Sequence, residues 1–308
     1  MDISIVIPVH NEEKNVTILH KKLLSVMNSL NKSYEIIFID DGSSDKTYKE
    51  LLQLNKIKII KFRKKFGQSA AMNAGFKLAK GSSIISMDGD LQNDPADIPK
   101  LLKKLDEGYD VVCGWRANRK DKAEKKIFSR IANMIRNLMI TDPLHDSGCS
   151  LRAYRKECFE DLDLMGEMHR FIPSLLSWKG FKIAEVKVNH FPRKYGKTNY
   201  GFNRLMRGSL DLFTVVFWRK YSSRPLHLFG GIGVFLVTLG MLMGTGLLIA
   251  RQIFGYALGQ SQLPLLAVLL VVIGIQFFIS GLMADISIRN YYGHGRTIYS
   301  IKKIIEKK

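Results

Sequence analysis

The sequence predicts an α/β domain with a mostly parallel sheet, followed by a pair of membrane-spanning helices. Residues 1 to about 115 alternate short apolar strands with helical segments, which is typical of a parallel sheet covered by helices on both faces. The final third contains two uncharged apolar runs, each longer than the roughly 18–20 residues that a helix needs to cross the hydrocarbon layer. We therefore divide the chain into an α/β domain over 1–203, a juxtamembrane helix over 204–226, two spans within 227–288 and a basic tail over 289–308.

Each element of the α/β domain follows from its local pattern. Apolar, β-branched stretches predict the strands, and the longer mixed stretches between them predict the helices. The predicted strands cover 3–8, 35–39, 57–62, 83–87 and 110–113, and the predicted helices cover 13–30, 45–54, 68–80 and 95–107. From about 116 to 204 the pattern is less regular and richly basic, and we assign this stretch to the same domain. Residues 204–221 fit either an amphipathic helix in the membrane interface or an ordinary core-facing helix.

The two spans are predicted at about 228–250 and 263–284, and their flanks predict their orientation. Three basic residues directly precede the first span and six follow the second, whereas the connector carries only Arg251. Because positively charged loops stay on the cytoplasmic side, we expect both termini and the α/β domain in the cytoplasm, with a short loop outside. The N-terminus opens on a strand-like segment without a basic leader, so we predict no signal peptide.

The net charge of +19 suits a partner that carries several negative charges. Nucleic acid and an anionic membrane face are two such partners, and the two spans favour the membrane over nucleic acid. The same charge suits a protein that holds several phosphates at once. Cys113, Cys149 and Cys158 are few and irregularly spaced, so we expect reduced thiols, without a disulfide framework or a zinc site.

Three polar motifs fall at the carboxyl ends of predicted strands, namely Pro8-Val-His-Asn-Glu12, Asp40-Asp-Gly-Ser-Ser-Asp45 and Asp88-Gly-Asp90. Ligands of parallel sheets lie outside these strand ends, so the motifs are expected to line one crevice. Two carboxylates one residue apart suit Mg²⁺ or Mn²⁺, which takes oxygen ligands and typically arrives with a substrate diphosphate. The pattern therefore indicates chemistry on a nucleotide diphosphate.

Each motif also has a purely structural interpretation. Asp-Gly-Asp occurs in turns, where it serves backbone geometry. Ser43 or Ser44 could be the N-cap of the following helix, and Asn11 and Glu12 could cap the first helix. For the second motif, a turn and a ligand contact are compatible.

Further motifs follow these loops in a fixed order. They are Phe66-Gly67 with Ala70-Ala71, Asp88-Gly-Asp-Leu-Gln-Asn-Asp-Pro95, Gly114-Trp-Arg116 and Met168-His-Arg-Phe-Ile-Pro173. With the paired spans, the whole chain resembles family 2 glycosyltransferases of the GT-A fold. Within them it is similar to the membrane-anchored enzymes that charge polyprenyl phosphate, of the dolichol-phosphate-mannose-synthase type.

The resemblance implies a GT-A catalytic domain with a Rossmann-like sheet, and a donor site in the strand-end loops. The residues that it implies for nucleotide-sugar binding are Pro8, His10, Glu12, Phe38, Asp40, Asp88, Gly89, Asp90, Gln92, Arg193 and Lys197. Of these, Phe38 and Asp40 would contact the base, where a carboxylate can accept from ring or exocyclic N–H groups. Asp88, Asp90 and Gln92 would hold Mg²⁺ or Mn²⁺.

The resemblance also implies an acceptor site built from cations. Arg116, Arg119 and Arg130 would bind the acceptor phosphate, and Asp90, Gln92, Arg116 and Arg130 are the implied catalytic residues. A lipid phosphate monoester is already substantially dianionic at pH 7, because its second pKa is about 6. It can therefore attack the anomeric carbon without a strong general base, and in-line attack on an α-linked donor inverts that centre.

The chain departs from the family pattern in two places. Its loop reads Gly196-Lys-Thr-Asn-Tyr200, so Asn199 stands where a Lys is expected, and Lys194 and Lys197 are the candidates to replace it. Asp146-Ser-Gly-Cys149 replaces a more usual Asp-x-Gly-Ser-Gly, and Asp146 could orient the sugar, act as a base or form a structural turn. We expect His169 to be structural.

The leading hypothesis is transfer of one sugar from GDP-mannose or a UDP-sugar to dolichyl or undecaprenyl phosphate at the cytoplasmic membrane face. The expected partners are this donor, the polyprenyl phosphate acceptor and the bilayer, with a homo-oligomer possible. A processive polysaccharide synthase is a minor alternative, because Phe217-Trp-Arg219 is not the expected Gln-x-x-Arg-Trp motif. A membrane-bound sugar-nucleotide sensor or scaffold without turnover is the non-enzymatic alternative, and the retained Asp88, Asp90 and Gln92 argue against it.

Overall fold

The structure is a computed structural model and describes residues 1–117, 144–160, 162, 164, 166, 168–193, 225–255 and 257–293. The chain divides into two compact units, Met1–Val216 and Phe217–Lys308. Most of the juxtamembrane segment at 204–226 and of the tail at 289–308 lies outside the described residues.

The first unit alternates strands and helices as the sequence predicts. The strands are β1 Ile3–Val9, β2 Tyr34–Asp40, β3 Ile57–Lys61, β4 Ser83–Ser86, β5 Val111–Trp115, β6 Arg152–Arg155 and β7 Ile183–Lys187. The helices are α1 Val16–Asn28, α2 Thr47–Leu52, α3 Gln68–Leu78, α4 Ile98–Asp106 and α5 Ile172–Trp178. Short 3₁₀ turns lie at Pro95–Asp97, Lys156–Phe159 and Met168–Arg170.

Within the described residues, these strands form one sheet in the order β3-β2-β1-β4-β6-β5-β7. The pairs β1–β2, β1–β4, β2–β3 and β5–β7 are parallel, and β6 is antiparallel to both β4 and β5. The mostly parallel α/β fold is therefore confirmed. Because β6 runs the other way, its amino end lies at the same edge as the carboxyl ends of its neighbours. That edge is called the carboxyl edge below.

Helices cover both faces of the sheet, because alternate strand residues point into two separate cores. Ile5 and Ile7 of β1 join Leu19 and Leu23 of α1 in one core, which also takes the apolar side of α4. Val6, on the opposite face, joins the core formed with α3 and α5. Burial of apolar side chains on both faces fixes the sheet between two helical layers.

Several helix ends differ from the predicted ones. Helix α1 begins at Val16 instead of 13, because Asn11 has a positive φ of 57° and Asn15 closes a turn onto the carbonyl of Glu12 at 2.9 Å. Neither helix has the side-chain cap that was the structural alternative for its motif: the N-cap of α1 is Asn15 and that of α2 is Lys46, both without a side-chain capping hydrogen bond. The alternative of a serine cap for α2 is therefore wrong, and the Ser43 amide instead donates to the Asp40 carboxylate.

The second unit contains two helices that are long and apolar enough to cross a membrane, α6 Pro225–Phe254 and α7 Leu263–Gly293. They pack through glycines. A Cβ added at Gly233 would lie 2.6 Å from the carbonyl oxygen of Gly274, and one added at Gly274 would lie 2.7 Å from the carbonyl oxygen of Gly233. Because neither glycine has a Cβ, the two helix backbones can approach closely at this point, as they do at small residues in membrane helix pairs.

We expect Gly233→Ala to weaken this helix pair. The added methyl group meets backbone atoms of α7, and overpacking of this kind costs about 1–3 kcal/mol. Gly231→Ala is the matched control, because nothing lies within 4 Å of a Cβ at Gly231. The measurement is SDS-induced unfolding of the detergent-solubilised protein. Equal midpoints for the two variants would contradict the packing described.

Candidate active site

The Asp88-Gly-Asp90 loop leaves β4 at the carboxyl edge and packs directly on the end of β1. A Cβ added at Gly89 would lie 2.7 Å from Cγ1 of Val9, so only glycine fits this approach. Leu91, next in the loop, has a positive φ of 63°, a conformation that non-glycine residues rarely adopt. Strained backbone of this kind is typical of functional sites.

Asp88 is half-buried and is held by side chains from two neighbouring elements. Nε2 of Gln68, the first residue of α3, donates to Oδ1 of Asp88 at 2.7 Å. Desolvation raises the pKa of the Asp88 carboxyl, and a hydrogen bond from Ser150 is the largest opposing cause. The positive charges of Arg152 and Arg116 oppose the rise as well.

Asp90 is only 9% exposed, and its Oδ1 accepts from the backbone N–H of Gln92 at 3.1 Å. Burial raises the pKa of the Asp90 carboxyl to about 6, and the neighbouring charge of Asp88 adds to this rise. Two acidic groups whose ionised forms are disfavoured in this way would be stabilised by a cation between or beside them.

The donor set of this loop fits a hard divalent cation. Carboxylate oxygens of Asp88 and Asp90 are the ligands that Mg²⁺ and Mn²⁺ prefer. Within the described residues, no group of three or more His, Cys, Asp or Glu side chains could hold a metal ion alone. Such a cation would therefore need further oxygens from Gln92, from water or from a bound diphosphate. The side-chain amide nitrogen of Gln92 lies 3.5 Å from the Phe191 carbonyl oxygen, which is at most a weak hydrogen bond.

The segment after β7 runs along this loop and brings Arg193 to the carboxylates. The backbone N–H of Asn189 donates to Asp97 at 2.6 Å, and that of Phe191 donates to the carbonyl of Gln92 at 2.9 Å. Nη2 of Arg193 then lies 2.6 Å from Oε1 of Glu12 and 3.9 Å from Oδ2 of Asp90. Arg193 and Glu12, both assigned to the donor from the sequence, thus contact each other here.

The loops after β1 and β2 are joined by polar contacts at the same edge. Nδ1 of His10 lies within hydrogen-bonding distance of the Asp41 carbonyl oxygen, at 2.8 Å. Asp40 is fully buried: its Oδ1 accepts from Ser43, while no described residue donates to its Oδ2. A buried carboxylate oxygen of this kind fits the predicted contact with N–H groups of a base. Pro8 is half-buried just before the end of β1.

The prediction for Phe38 needs correction. Its side chain is fully buried in the core that contains α1, so it packs inside the domain and presents no surface to a nucleotide base. Strand β2 is covered on both faces, and its continuous apolar run gave no indication of which side chains reach the crevice.

Arg116 follows β5 at the carboxyl edge, where its charge affects the pKa of Asp88. Its Nε and Nη2 donate to the two carboxylate oxygens of Asp146 at 2.7 and 2.8 Å, and its backbone N–H lies 3.2 Å from the same group. A bidentate pair of this geometry fixes the plane of the guanidinium. Asp146 also accepts from the backbone N–H of Gly148 at 3.2 Å, which agrees with the alternative of a structural turn, and its roles in orienting the sugar or as a base stay predictions.

Three predicted site residues, Arg119, Arg130 and Lys197, lie outside the described residues, as do Lys194 and Asn199. His169, expected to be structural, contacts Ser69 through Nδ1 at 2.8 Å, and its carbonyl accepts from the buried Arg152 at 3.2 Å. None of the three cysteines forms a disulfide, and all are buried.

Sequence reasoning missed Gln68 and Ser150 as partners of Asp88. Gln68 follows Gly67, the N-cap of α3, whose φ of 99° lets the chain turn into the helix. The first residue of α3 thereby lies at the carboxyl edge, next to Asp88. The Phe66-Gly67 motif marks this turn in the sequence, and the polar residue directly after it is the signal for Gln68. Ser150 gave no such signal, because it reaches the site only through the antiparallel course of β6.

We expect Gln68→Ala to lower the affinity for Mn²⁺ in the presence of nucleotide. Loss of the donor leaves Asp88 less well oriented, and outer-shell partners of metal ligands are typically worth about 10-fold to 100-fold in affinity. Gln53→Ala is the control, because Gln53 is exposed just after α2. Electron paramagnetic resonance of free Mn²⁺ measures the affinity. Equal affinities in the two variants would remove Gln68 from the site.

A mostly parallel sheet between two helical layers, with paired acidic residues at its carboxyl edge, agrees with the GT-A fold that the resemblance implies, although other doubly wound α/β proteins share it. Residues 4–163 match the Glycosyl transferase family 2 domain, and the chain belongs to this family. It is therefore a glycosyltransferase, as the sequence predicted.

Full-length relatives carry two related names. The chain is 38% identical over 304 residues to dodecaprenyl-phosphate galacturonate synthase from Rhizobium johnstonii, covering 95% of this chain and 89% of that protein. It is 36% identical over 310 residues to undecaprenyl-phosphate 4-deoxy-4-formamido-L-arabinose transferase from Photorhabdus laumondii, covering 98% and 94% of the two chains. The narrower resemblance to polyprenyl-phosphate sugar transferases is thereby confirmed.

Among solved structures, the fold is similar to glucosyl-3-phosphoglycerate synthase from Mycobacterium tuberculosis, crystallised with Mn²⁺, uridine diphosphate and phosphoglyceric acid. The TM-score is 0.57 at 16% identity, covering 71% of this chain and 78% of that chain. At this identity the likeness shows the fold.

Proposed function

We propose that this enzyme transfers a single sugar from a nucleotide-diphosphate sugar to a polyprenyl phosphate, with inversion, at the cytoplasmic face of a membrane. The observation that carries the proposal is the carboxyl edge itself. There, Asp88 and Asp90 suit a cation with a diphosphate, while Arg116 and Arg193 suit phosphate groups. The two apolar helices α6 and α7 suit an enzyme whose acceptor lies in a bilayer.

The names of the relatives support the acceptor class. Both names contain a polyprenyl phosphate, which is the group that receives the sugar. Both relatives align with nearly the whole chain, including its apolar helices. The acceptor of this chain is accordingly proposed as undecaprenyl, dodecaprenyl or dolichyl phosphate. GDP-mannose and UDP-sugars remain the proposed donors.

The residues of the site divide into a donor part and an acceptor part. Asp88, Asp90 and Gln92 would hold Mg²⁺ or Mn²⁺, which when bound neutralises negative charge on the leaving diphosphate. Asp40 would accept hydrogen bonds from the base, and Arg193 would exchange its contact with Glu12 for one with the donor phosphates.

On the acceptor side, Arg116 would orient the lipid phosphate toward the anomeric carbon, together with Arg119 and Arg130. Because this phosphate is already substantially dianionic near pH 7, its oxygen attacks without first transferring a proton to the protein. Asp146, one alternative for a general base, is paired with Arg116, which agrees with a reaction that needs no general base.

The test is a transfer assay with detergent-solubilised protein. Labelled UDP-sugars and GDP-mannose are offered with undecaprenyl phosphate, in the presence of Mn²⁺, Mg²⁺ or a chelator. We expect one donor to give a labelled lipid only when a divalent cation is present, with the opposite anomeric configuration in the product. Binding of nucleotide without transfer from any donor would favour the sensor, and a labelled polymer would favour the processive synthase.

A further inference from the structure

Glu185 binds the backbone of the turn at His145 and Asp146, whose second residue pairs with Arg116. It lies on β7, in register with Cys113 of β5, and its side chain is 10% exposed. Its Oε2 accepts from the backbone N–H of His145 at 2.9 Å, and its Oε1 accepts from that of Asp146 at 3.0 Å. Both carboxylate oxygens therefore bind adjacent backbone amides, which fixes the turn in two places.

The side chain of His145 adds a third contact to the same carboxylate. Its Nδ1 lies 2.7 Å from Oε2 of Glu185, and its ring stacks on Trp115 with centroids 4.6 Å apart. The turn is thereby held between β5 and β7 by one carboxylate and one aromatic ring. No sequence pattern singled out Glu185.

The orientation of Asp146 is transmitted to Arg116. Asp146 accepts from the backbone of Gly148 at 3.2 Å as well as from Arg116, so its carboxylate plane is fixed on both sides. The Arg116 side chain has several rotatable bonds, and a preorganised guanidinium loses less entropy when it binds an anion. Since the pair with Asp146 has no net charge, it adds little to the overall positive charge of the site, and what Arg116 offers a phosphate is a charge-assisted contact of fixed direction.

We propose that Glu185 is a positioning residue for the lipid phosphate, acting through the 145–146 turn and Asp146 on Arg116. The inference rests on the proposed function in one respect, namely that Arg116 contacts the acceptor phosphate. It assigns a role in acceptor binding to a strand residue that need not touch substrate.

The experiment compares wild type, Glu185→Gln, Arg116→Gln and the double variant, with two binding measurements on each full-length protein in detergent. Isothermal titration calorimetry gives the affinity for farnesyl phosphate, and separately for nucleoside diphosphate with Mn²⁺. The glutamine keeps an oxygen that can accept one of the two backbone amides. Glu35→Gln is the matched control, because Glu35 on β2 also accepts a backbone N–H, that of Lys80 at 2.6 Å, at the opposite edge.

We expect Glu185→Gln to weaken farnesyl phosphate binding about tenfold, the scale on which residues that orient metal ligands act, and to leave nucleotide binding unchanged. In the Arg116→Gln background, the same substitution should have no further effect, since residues that act through one another are not additive. Glu35→Gln should change neither affinity. The proposal would be overturned if Glu185→Gln lowered the affinities for farnesyl phosphate and for nucleoside diphosphate equally. It would also be overturned if Glu185→Gln lowered the affinity for farnesyl phosphate as much in the Arg116→Gln background as in the wild type.

A second measurement separates the failure of this inference from that of the proposed function. In spectra of protein labelled with ¹⁵N-arginine, the Nε–H signal of Arg116 is assigned by its absence in Arg116→Gln. We expect Glu185→Gln to shift or broaden this signal without any ligand, and an unchanged signal would overturn the relay. If wild-type protein does not bind farnesyl phosphate while the signal responds, the relay stands and the assignment of the acceptor fails.

Discussion

Replacing Asp90 by Asn should reduce sugar transfer on the order of a thousandfold, the scale on which removal of one preorganised electrostatic group acts. Asn keeps the shape of the side chain and removes the charge that would bind the cation. At neutral pH the melting temperature should not fall, because burial and Asp88 disfavour the ionised form of Asp90, whose pKa is about 6. Transfer rates and thermal unfolding measured on one preparation check both parts.

Asp94→Asn is the matched control for this substitution. Asp94 lies in the same loop and caps the turn Pro95–Asp97 by accepting from Ala96 at 3.2 Å, a role that Asn fills equally well. It should retain the wild-type transfer rate. A wild-type rate in Asp90→Asn would remove Asp90 from the reaction, and a similar loss in both variants would point to a general disturbance of the loop.

Replacing Arg116 by Gln should lower kcat/KM for the lipid phosphate about 100-fold to 1000-fold, because a charge-assisted contact to a phosphate is lost at the reacting end. Binding of nucleotide should change much less, since the donor loops follow β1, β2 and β4 instead of β5 and the charge of Arg116 is only a minor influence on Asp88. The measurement is initial rate against lipid phosphate at saturating donor, with nucleotide affinity determined separately.

The control for Arg116 is Arg155→Gln. Arg155 ends β6 at the opposite edge of the sheet, where its Nη2 donates to the carbonyl of Leu105 at 3.0 Å. The Arg155→Gln substitution removes the same charge far from the proposed acceptor site and should leave kcat/KM for the lipid phosphate unaltered. Equal losses in the two variants would mean that overall charge, and not Arg116, attracts the acceptor.

The sequence located the first five strands to within one or two residues at each end, because each is a buried apolar run with turn residues on both sides. Strands β6 and β7 and helix α5 were not assigned. In β6, Arg152–Arg155, two neighbouring apolar residues lie between two arginines, and the burial of this strand depends on its pairing with β4 and β5. Long-range pairing of this kind leaves little trace in a local pattern.

The sequence indicates candidate residues for the site but not the contacts between them. Asp88 and Asp90 are candidates because two carboxylates after a strand suit a divalent cation. The Arg193–Glu12 contact joins residues 181 positions apart, and the Glu185–Asp146 contact joins residues 39 positions apart. Such contacts depend on the strand order, which places β7 beside β5 and brings its carboxyl end to the same edge.

The central claim is that a divalent cation beside Asp88 and Asp90 joins the nucleotide diphosphate to the protein. Crystals grown with Mn²⁺ and the nucleoside diphosphate of the active donor, measured at the manganese absorption edge, test it most directly. We expect an anomalous peak in contact with the Asp90 carboxylate and with oxygens of the diphosphate. A bound nucleotide with its manganese peak elsewhere, or with none, would contradict it.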